Sequence, residues 1–196
     1  ADNGLATVIE DIEFSGNVVR GSGGGLNILG TEGSGGHRLT IRNNIFDEID
    51  GAKWGGGGHF MKVTEWNGLV VESNTIVQRN NITTAYGQPV RGFVFRNNIV
   101  NENEYGFFGE AIGSGQRSID KFFPGASVTG NIIVGGNPSL YREPNIFLEK
   151  FELIGFNAAS RGAYRLPANS PYLKAGIGGK RIGADLDAKK VGVKGP

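Results

Sequence analysis

Five segments of the chain alternate apolar and polar residues in one register and then break the alternation at an asparagine. They are IEFSGNVV from Ile12, LTIRNNIF from Leu39, LVVESNTI from Leu69, FVFRNNIV from Phe93, and SVTGNIIV, whose asparagine is Asn131. Aligned this way, Asn17, Asn44, Asn74, Asn98 and Asn131 form one column, at intervals of 27, 30, 24 and 33 residues. Before the asparagine, Ile12 and Phe14, Leu39 and Ile41, Leu69 and Val71, and Phe93 and Phe95 recur with period two, which predicts a strand with one buried face. After it, one residue is skipped and Val19, Phe46, Ile76, Val100 and Ile133 follow, which predicts a second short strand beyond a tight corner. The residues at that corner are Gly16, Asn43, Ser73, Asn97 and Gly130, and glycine and asparagine tolerate the positive φ that such a corner needs.

Repeats of this length cannot bury a core alone. Stacked, they place matching strands about 4.8 Å apart and build parallel sheets along one axis, a solenoid. The asparagine column then becomes an internal ladder, its amides bonding to turn backbone of their own and neighbouring coils. Third strands are expected at GLNILG around Leu26, HFMKVTE from His59 and YGFFGEAIG around Phe107, while the third coil offers only the vaguer TTAYGQPVRG. Long inserts follow Leu29, Asp50 and Ile112 and are expected to emerge on one side, where binding surfaces form. From Pro138 to Phe156 the asparagine column is expected to end, with NIFLEKFELIGF as a final strand pair. The proline- and glycine-rich remainder reads as an irregular wrapped segment that serves as the cap an open solenoid end requires. The division expected is therefore 1–156 for the coils and 157–196 for the capping segment and basic tail. The start, ADNGLATVIED, carries no comparable cap, which raises self-association through an uncapped N-terminal coil, or coils preceding it in a longer protein.

Composition narrows the function classes. The chain has 196 residues and 34 glycines without a triplet period, so the glycines read as corner residues. Net charge is +1, which gives no electrostatic case for nucleic acid or an anionic membrane. There is no cysteine, hence no disulfide or thiolate metal site. No apolar run approaches the ~20 residues needed to span a bilayer. No signal peptide opens the sequence, so a secreted protein would be seen here in mature or trimmed form. GSGGG and GGGG lack the lysine and the strand-to-helix setting of a phosphate loop. Asn81-Ile82-Thr83 is a glycosylation sequon, meaningful only in a eukaryotic secretory protein.

Candidate chemistry is sparse. Asp47, Glu48 and Asp50 place three carboxylates within four residues, either oxygen ligands of a calcium site or a solvated turn. His59, Phe60, Lys62 and Glu65 form the densest polar and aromatic group on an expected strand. If Met61 and Val63 point inward, Phe60, Lys62 and Thr64 face outward together. Glu110 is expected two coils further on the same sheet. Lys62 beside that acid reads as a proton-abstracting base, or as an ordinary exposed lysine. Trp54, Trp66, Tyr86, Tyr105, Phe107, Phe108, Phe122 and Phe123 lie in or near the inserts. Such rings suit stacking on sugar faces, although Phe122 and Phe123 equally suit pinning a long insert. Arg42, Glu72 and Arg96 hold one position in successive repeats, which suggests a charge ladder along the axis, or a clamp for a substrate carboxylate.

The N-N-I-F, S-N-T-I, N-N-I-V and G-N-I-I units over residues 9–135, with the tail YRLPANSPYLKAGIGGKRIGAD, resemble the right-handed parallel β-helix superfamily. That group includes pectate lyases and other bacterial polysaccharide-acting proteins. Lys174 stands where an aspartate is common after the S-P element. The resemblance implies an all-β fold, a single-stranded right-handed parallel β-helix of about five coils with an irregular C-terminal cap. It implies a protein that is secreted or at the cell surface and associated with polysaccharide. Lyase-type cleavage of an acidic polysaccharide would use Lys62 as base and Glu110 as its partner. His59, Phe60, Trp54, Trp66, Tyr105 and Phe108 would contact substrate, and Asp47, Glu48 and Asp50 would hold calcium. The competing expectation is a non-catalytic structural or glycan-binding β-helix, a piece of a longer surface or fibre protein.

Overall fold

A computed structural model describes residues 8–30, 35–156 and 164–186. The repeats become circuits through three sheets. The first circuit comprises β1 (Ile9–Ser15), β2 (Val18–Ser22) and β3 (Leu26–Leu29). The second comprises β4 (Gly36–Arg42), β5 (Ile45–Ile49) and β6 (Met61–Thr64), with the short helix α1 (Gly51–Trp54) in its insert. The third is β7 (Trp66–Glu72), β8 (Thr75–Gln78) and β9 (Thr83–Ala85), and the fourth β10 (Val94–Arg96), β11 (Ile99–Asn101) and β12 (Phe107–Gly109). Then follow β13 (Gly113–Ser114), α2 (Gln116–Phe122), β14 (Ser127–Thr129), β15 (Ile132–Val134) and β16 (Ile146–Leu148). Sheet A has the order β1-β4-β7-β10-β14, sheet B the order β16-β15-β11-β8-β5-β2, and sheet C the order β13-β12-β9-β6-β3. Every pairing is parallel except β12 with β13. The arrangement is mostly β, with three largely parallel sheets, and is compatible with a β-helix.

The expected corners are real. Gly16, Asn43, Ser73, Asn97 and Gly130 all have φ between 52° and 70°. Just after them the asparagines stack. The backbone N–H of Asn17 donates to Oδ1 of Asn44 at 2.9 Å, and Asn44, Asn74 and Asn98 repeat the contact onto Asn74, Asn98 and Asn131. Each side-chain amide from Asn44 onward also donates to a carbonyl of the preceding circuit: Phe14, Ile41, Val71 and Phe95. The column does not end at Asn131. Asn145 forms a sixth rung, accepting from the Asn131 N–H at 3.0 Å and donating to the Val128 carbonyl at 2.8 Å. It lies only 14 residues on, because the circuit between them omits the third strand. The expected final strand pair is likewise corrected: Ile146–Leu148 is a strand, but Phe151–Ile154 is a 3₁₀ turn.

The inner faces form one core. Phe14, Ile41, Val71, Phe95 and Val128 stack in register in sheet A, and Phe46, Ile76, Val100 and Ile133 face them from sheet B. Phe122 and Phe123 of the long insert enter this core, with Phe123 4.4 Å from the ring of Phe93. Sheet B differs from the others in being apolar on its outer face too. Val18, Ile45, Thr75, Ile99, Ile132 and Ile146 form its outer column. A strand buried on both faces reads as a continuous apolar run. What covers it is the C-terminal segment, whose Leu166, Tyr172, Leu173 and Ile182 pack with Ile99, Ile132 and Val134 in a second core. Backbone N–H groups fasten that segment: Ala184 to Oγ1 of Thr75 at 3.0 Å, Gly183 to the Asn97 carbonyl at 2.7 Å and Asp185 to Oδ1 of Asn43 at 2.7 Å. It runs along the side of the stack. Residues 157–163 and 187–196 of that expected segment, the basic tail included, lie outside the described residues, as do residues 1–7 of the start.

Candidate functional site

Where the strands of sheet B end and the chain turns toward sheet C, three successive circuits leave polar residues side by side. They line a cleft of about 380 Å³. The second circuit supplies Asp47, Glu48, Asp50 and Lys53, the third Val77, Gln78 and Arg79, and the fourth Asn101 and Asn103. Tyr164 of the C-terminal segment forms the remaining wall. A bulge at Glu48 (φ 53°) shifts the β5–β8 register and turns its neighbours toward the opening.

Each charge here has a fixed partner. Asp47 is 1% exposed, with Nε of Arg20 at 2.8 Å on one oxygen and the Tyr164 hydroxyl donating to the other. Burial first, and that hydrogen bond second, push the Tyr164 phenol up. Asp50 caps α1, accepting from the N–H groups of Ala52 and Lys53, and meets Nε of Arg79 at 3.5 Å. Glu48 pairs with Nζ of Lys53 at 3.4 Å. The amides are tied to backbone: Nε2 of Gln78 donates to the Asn101 carbonyl at 2.6 Å, and Nδ2 of Asn103 to the carbonyls of Gln78 and Asn80 at 3.0 and 2.7 Å. Among the described residues nothing donates to Oε1 of the buried Gln78.

The three carboxylates expected to hold calcium thus share one cleft but turn to different protein partners. Among the described residues no three His, Asp or Glu side chains are grouped to hold a metal ion. Lys62 and Glu110 do belong to one sheet. Lys62 pairs with Thr84 and Thr84 with Phe108, and the Glu110 N–H donates to the Ala85 carbonyl. The Lys62 ammonium, however, lies 5.0 Å from the ring centroid of Tyr86, and no ion pair joins it to Glu110. His59 is half-buried nearby, and burial first, then the charge of Lys62, hold its imidazole below the ordinary value.

The aromatic candidates divide. Phe60 does not face outward; it is fully buried and meets Phe46 edge-on at 4.9 Å, and Thr64 is buried as well. The strand is only four residues long, and the chain turns inward at both its ends. Trp66 is in the core too, its indole lying flat on Gly36, where an added Cβ would come within 2.1 Å of the ring. Neither is open to a ligand. Trp54 is 46% exposed with Lys53 over its ring, and Tyr105 is 41% exposed and 5.5 Å from Phe108. That pair lies just past Asn103, round the corner from the cleft. Arg42, Glu72 and Arg96 share the expected column, but only Arg96 and Glu72 pair, at 2.7 Å, while Arg42 turns to Glu13.

Gln78, Arg79, Asn101, Asn103 and Tyr164 are among the cleft residues that pattern reading missed, with Lys53 and Val77. Polar residues closing successive second strands were a visible sign for Gln78 and Asn101. Nothing near Tyr164 in sequence points to Asp47, 117 residues away. No family model, curated protein or solved structure matches the chain.

Proposed function

We propose that the three sheets are the faces of a single right-handed parallel β-helix, and that this extracellular, polysaccharide-associated protein binds a saccharide without cleaving it. The cleft across three circuits carries the reading. Its carboxylates, amides, guanidinium and ammonium are what sugar hydroxyls pair with, and its volume is that of a small-ligand site. Tyr105 and Phe108 extend it with a stacking surface for a further ring. Binding is favoured over lyase chemistry because the Lys62 ammonium lies over the Tyr86 ring and, among the described residues, is paired with no carboxylate that could take part in proton abstraction. Three acidic and two basic side chains line the cleft, which suits a neutral saccharide better than a polyuronate.

Calorimetric titration with neutral and acidic oligosaccharides tests this, alongside an assay for newly released reducing ends. Saturable binding of a neutral oligosaccharide is expected, weakened about tenfold in Arg79→Ala and in Tyr105→Ala and unchanged in Lys62→Ala. No reducing ends are expected. Release of unsaturated product from an acidic polysaccharide, lost in Lys62→Ala, would replace binding with the lyase reading.

A further inference from the structure

The fifth circuit is closed by a strap instead of a strand. Residues 136–141 return the chain from β15 toward Asn145 without adding a strand to sheet C. The strap bonds to itself: the Ser139 N–H donates to Oδ1 of Asn137, the Leu140 N–H to the Asn137 carbonyl and the Tyr141 N–H to the Pro138 carbonyl. Leu140 packs on Gly115, where an added Cβ would come within 2.8 Å of it. Among the described residues, one hydrogen bond ties 136–141 to the body of the stack, from the Tyr141 hydroxyl to Oε2 of Glu102. The Tyr141 ring enters the core there, 6.1 Å from Phe107 and 5.6 Å from Phe147.

That single tie ends on a carboxyl in an apolar setting. Glu102 is 4% exposed. Gly106 of its own turn and Gly136 of the strap lie so close that an added Cβ would come within 2.5 and 3.2 Å of its oxygens, and Ile133 and Phe147 stand beside Gly136. Tyr141 is the titratable group that faces it. The charged side chains of the surrounding elements are engaged elsewhere: Glu104 with the Tyr105 hydroxyl, Arg142 with Asp120 at 3.1 Å and Glu143 with Ser127 at 3.0 Å. Glu110, Glu149 and Lys150 are exposed. These neighbours all fall within 35–156, which is described without a break. Ionising Glu102 in place thus leaves a buried carboxylate with no cation among the described residues, a costly state that lifting the strap would relieve by admitting water. Burial accordingly raises the Glu102 carboxyl, and burial first holds the Tyr141 phenol up, so Tyr141 stays a donor. We propose that residues 136–141 are a pH-sensitive latch on this end of the stack, closed while Glu102 carries its proton and released when the carboxylate forms. Release uncovers the end of the core around Phe107 and Phe147. The closed state is fully favoured below the ordinary carboxyl value of 4.5 and loses ground as pH rises through the folded one.

The chain has no cysteine, so a single introduced thiol reports on one place. Leu140→Cys reads the strap, and Val63→Cys, fully buried in the second circuit, reads unfolding of the whole chain. Each is labelled with a dipyridyl disulfide, with and without Glu102→Gln, so that the thiol's own titration cancels at any one pH. The strap labelling rate with glutamate relative to glutamine is expected to rise about tenfold from pH 4 to pH 8. At pH 8 the Leu140→Cys thiol is also expected to label at least about tenfold faster than the Val63→Cys thiol, because release is local. A glutamate-to-glutamine ratio that does not change with pH would overturn the proposal. Equal rates at the two thiols would overturn it as well, since the chain would then open only as a whole. Tyr141→Phe removes the hydrogen bond and keeps the ring, and it is expected to speed strap labelling more at pH 8 than at pH 4. An equal effect at both would remove Glu102 as the trigger.

Discussion

Asn74 stands mid-ladder, fully buried, its oxygen taking two donors from Asn44 and its amide giving to the carbonyls of Ile41 and Glu72. Alanine there strands several buried partners at once. Asn74→Ala is expected to destabilise by roughly 3 kcal/mol in chemical denaturation. Asn145→Ala, at the half-buried last rung, should cost about 1 kcal/mol. The internal rungs were legible because one residue type recurred at one register. Asn145 was not, since its 14-residue interval falls outside the period, although its Asn-Ile-Phe repeats the local motif. Glu102 is a buried acid that no pattern exposed. Burial raises its carboxyl above the ordinary 4.5, and the hydrogen bond from Tyr141 opposes this only in part. The folded chain thus keeps a proton that the unfolded chain releases from about pH 4.5 upward. The stability tied to that proton is complete below this pH and is lost as pH rises through the folded value. Glu102→Gln is expected to raise the melting temperature at pH 8 more than at pH 4, and an equal shift at both would remove Glu102 as the cause.

At the scale of elements, the first strand of each repeat was readable because one face is buried and the other wet, which imposes period two. The second strand was readable only in part. The residue skipped after each asparagine was left without a role, whereas Ile99 and Ile132 at that position form the floor under the C-terminal segment. Apolar residues on both faces were the available sign. Phe60 and Trp66 were misplaced for a related reason: short strands end in corners, and side chains there leave the alternation. Ile182 is fully buried against this floor. Ile182→Ala is expected to cost about 3 kcal/mol and to speed hydrogen exchange in residues 164–186 ahead of sheets A and C. Uniform loosening of all three sheets would mean that the segment is not a separable layer.

Across the whole molecule, stacking and site come from the same repetition. Circuits in register bring equivalent positions within reach, so polar residues at and just beyond the ends of successive second strands become a cleft without any continuous motif. That is why the stack was legible in the sequence and the cleft was not. Columns follow from the period, but Tyr164 joins from a distant segment and the bulge at Glu48 redirects the neighbours of the acidic cluster. The measurement that bears most directly on this account is amide chemical-shift mapping of the chain titrated with a neutral oligosaccharide. The expected result is saturable shifts concentrated at Gln78, Arg79, Asn101, Asn103 and Tyr164 and extending to Tyr105 and Phe108. Saturable shifts centred instead on Lys62, or on the outer face of sheet A, would contradict it.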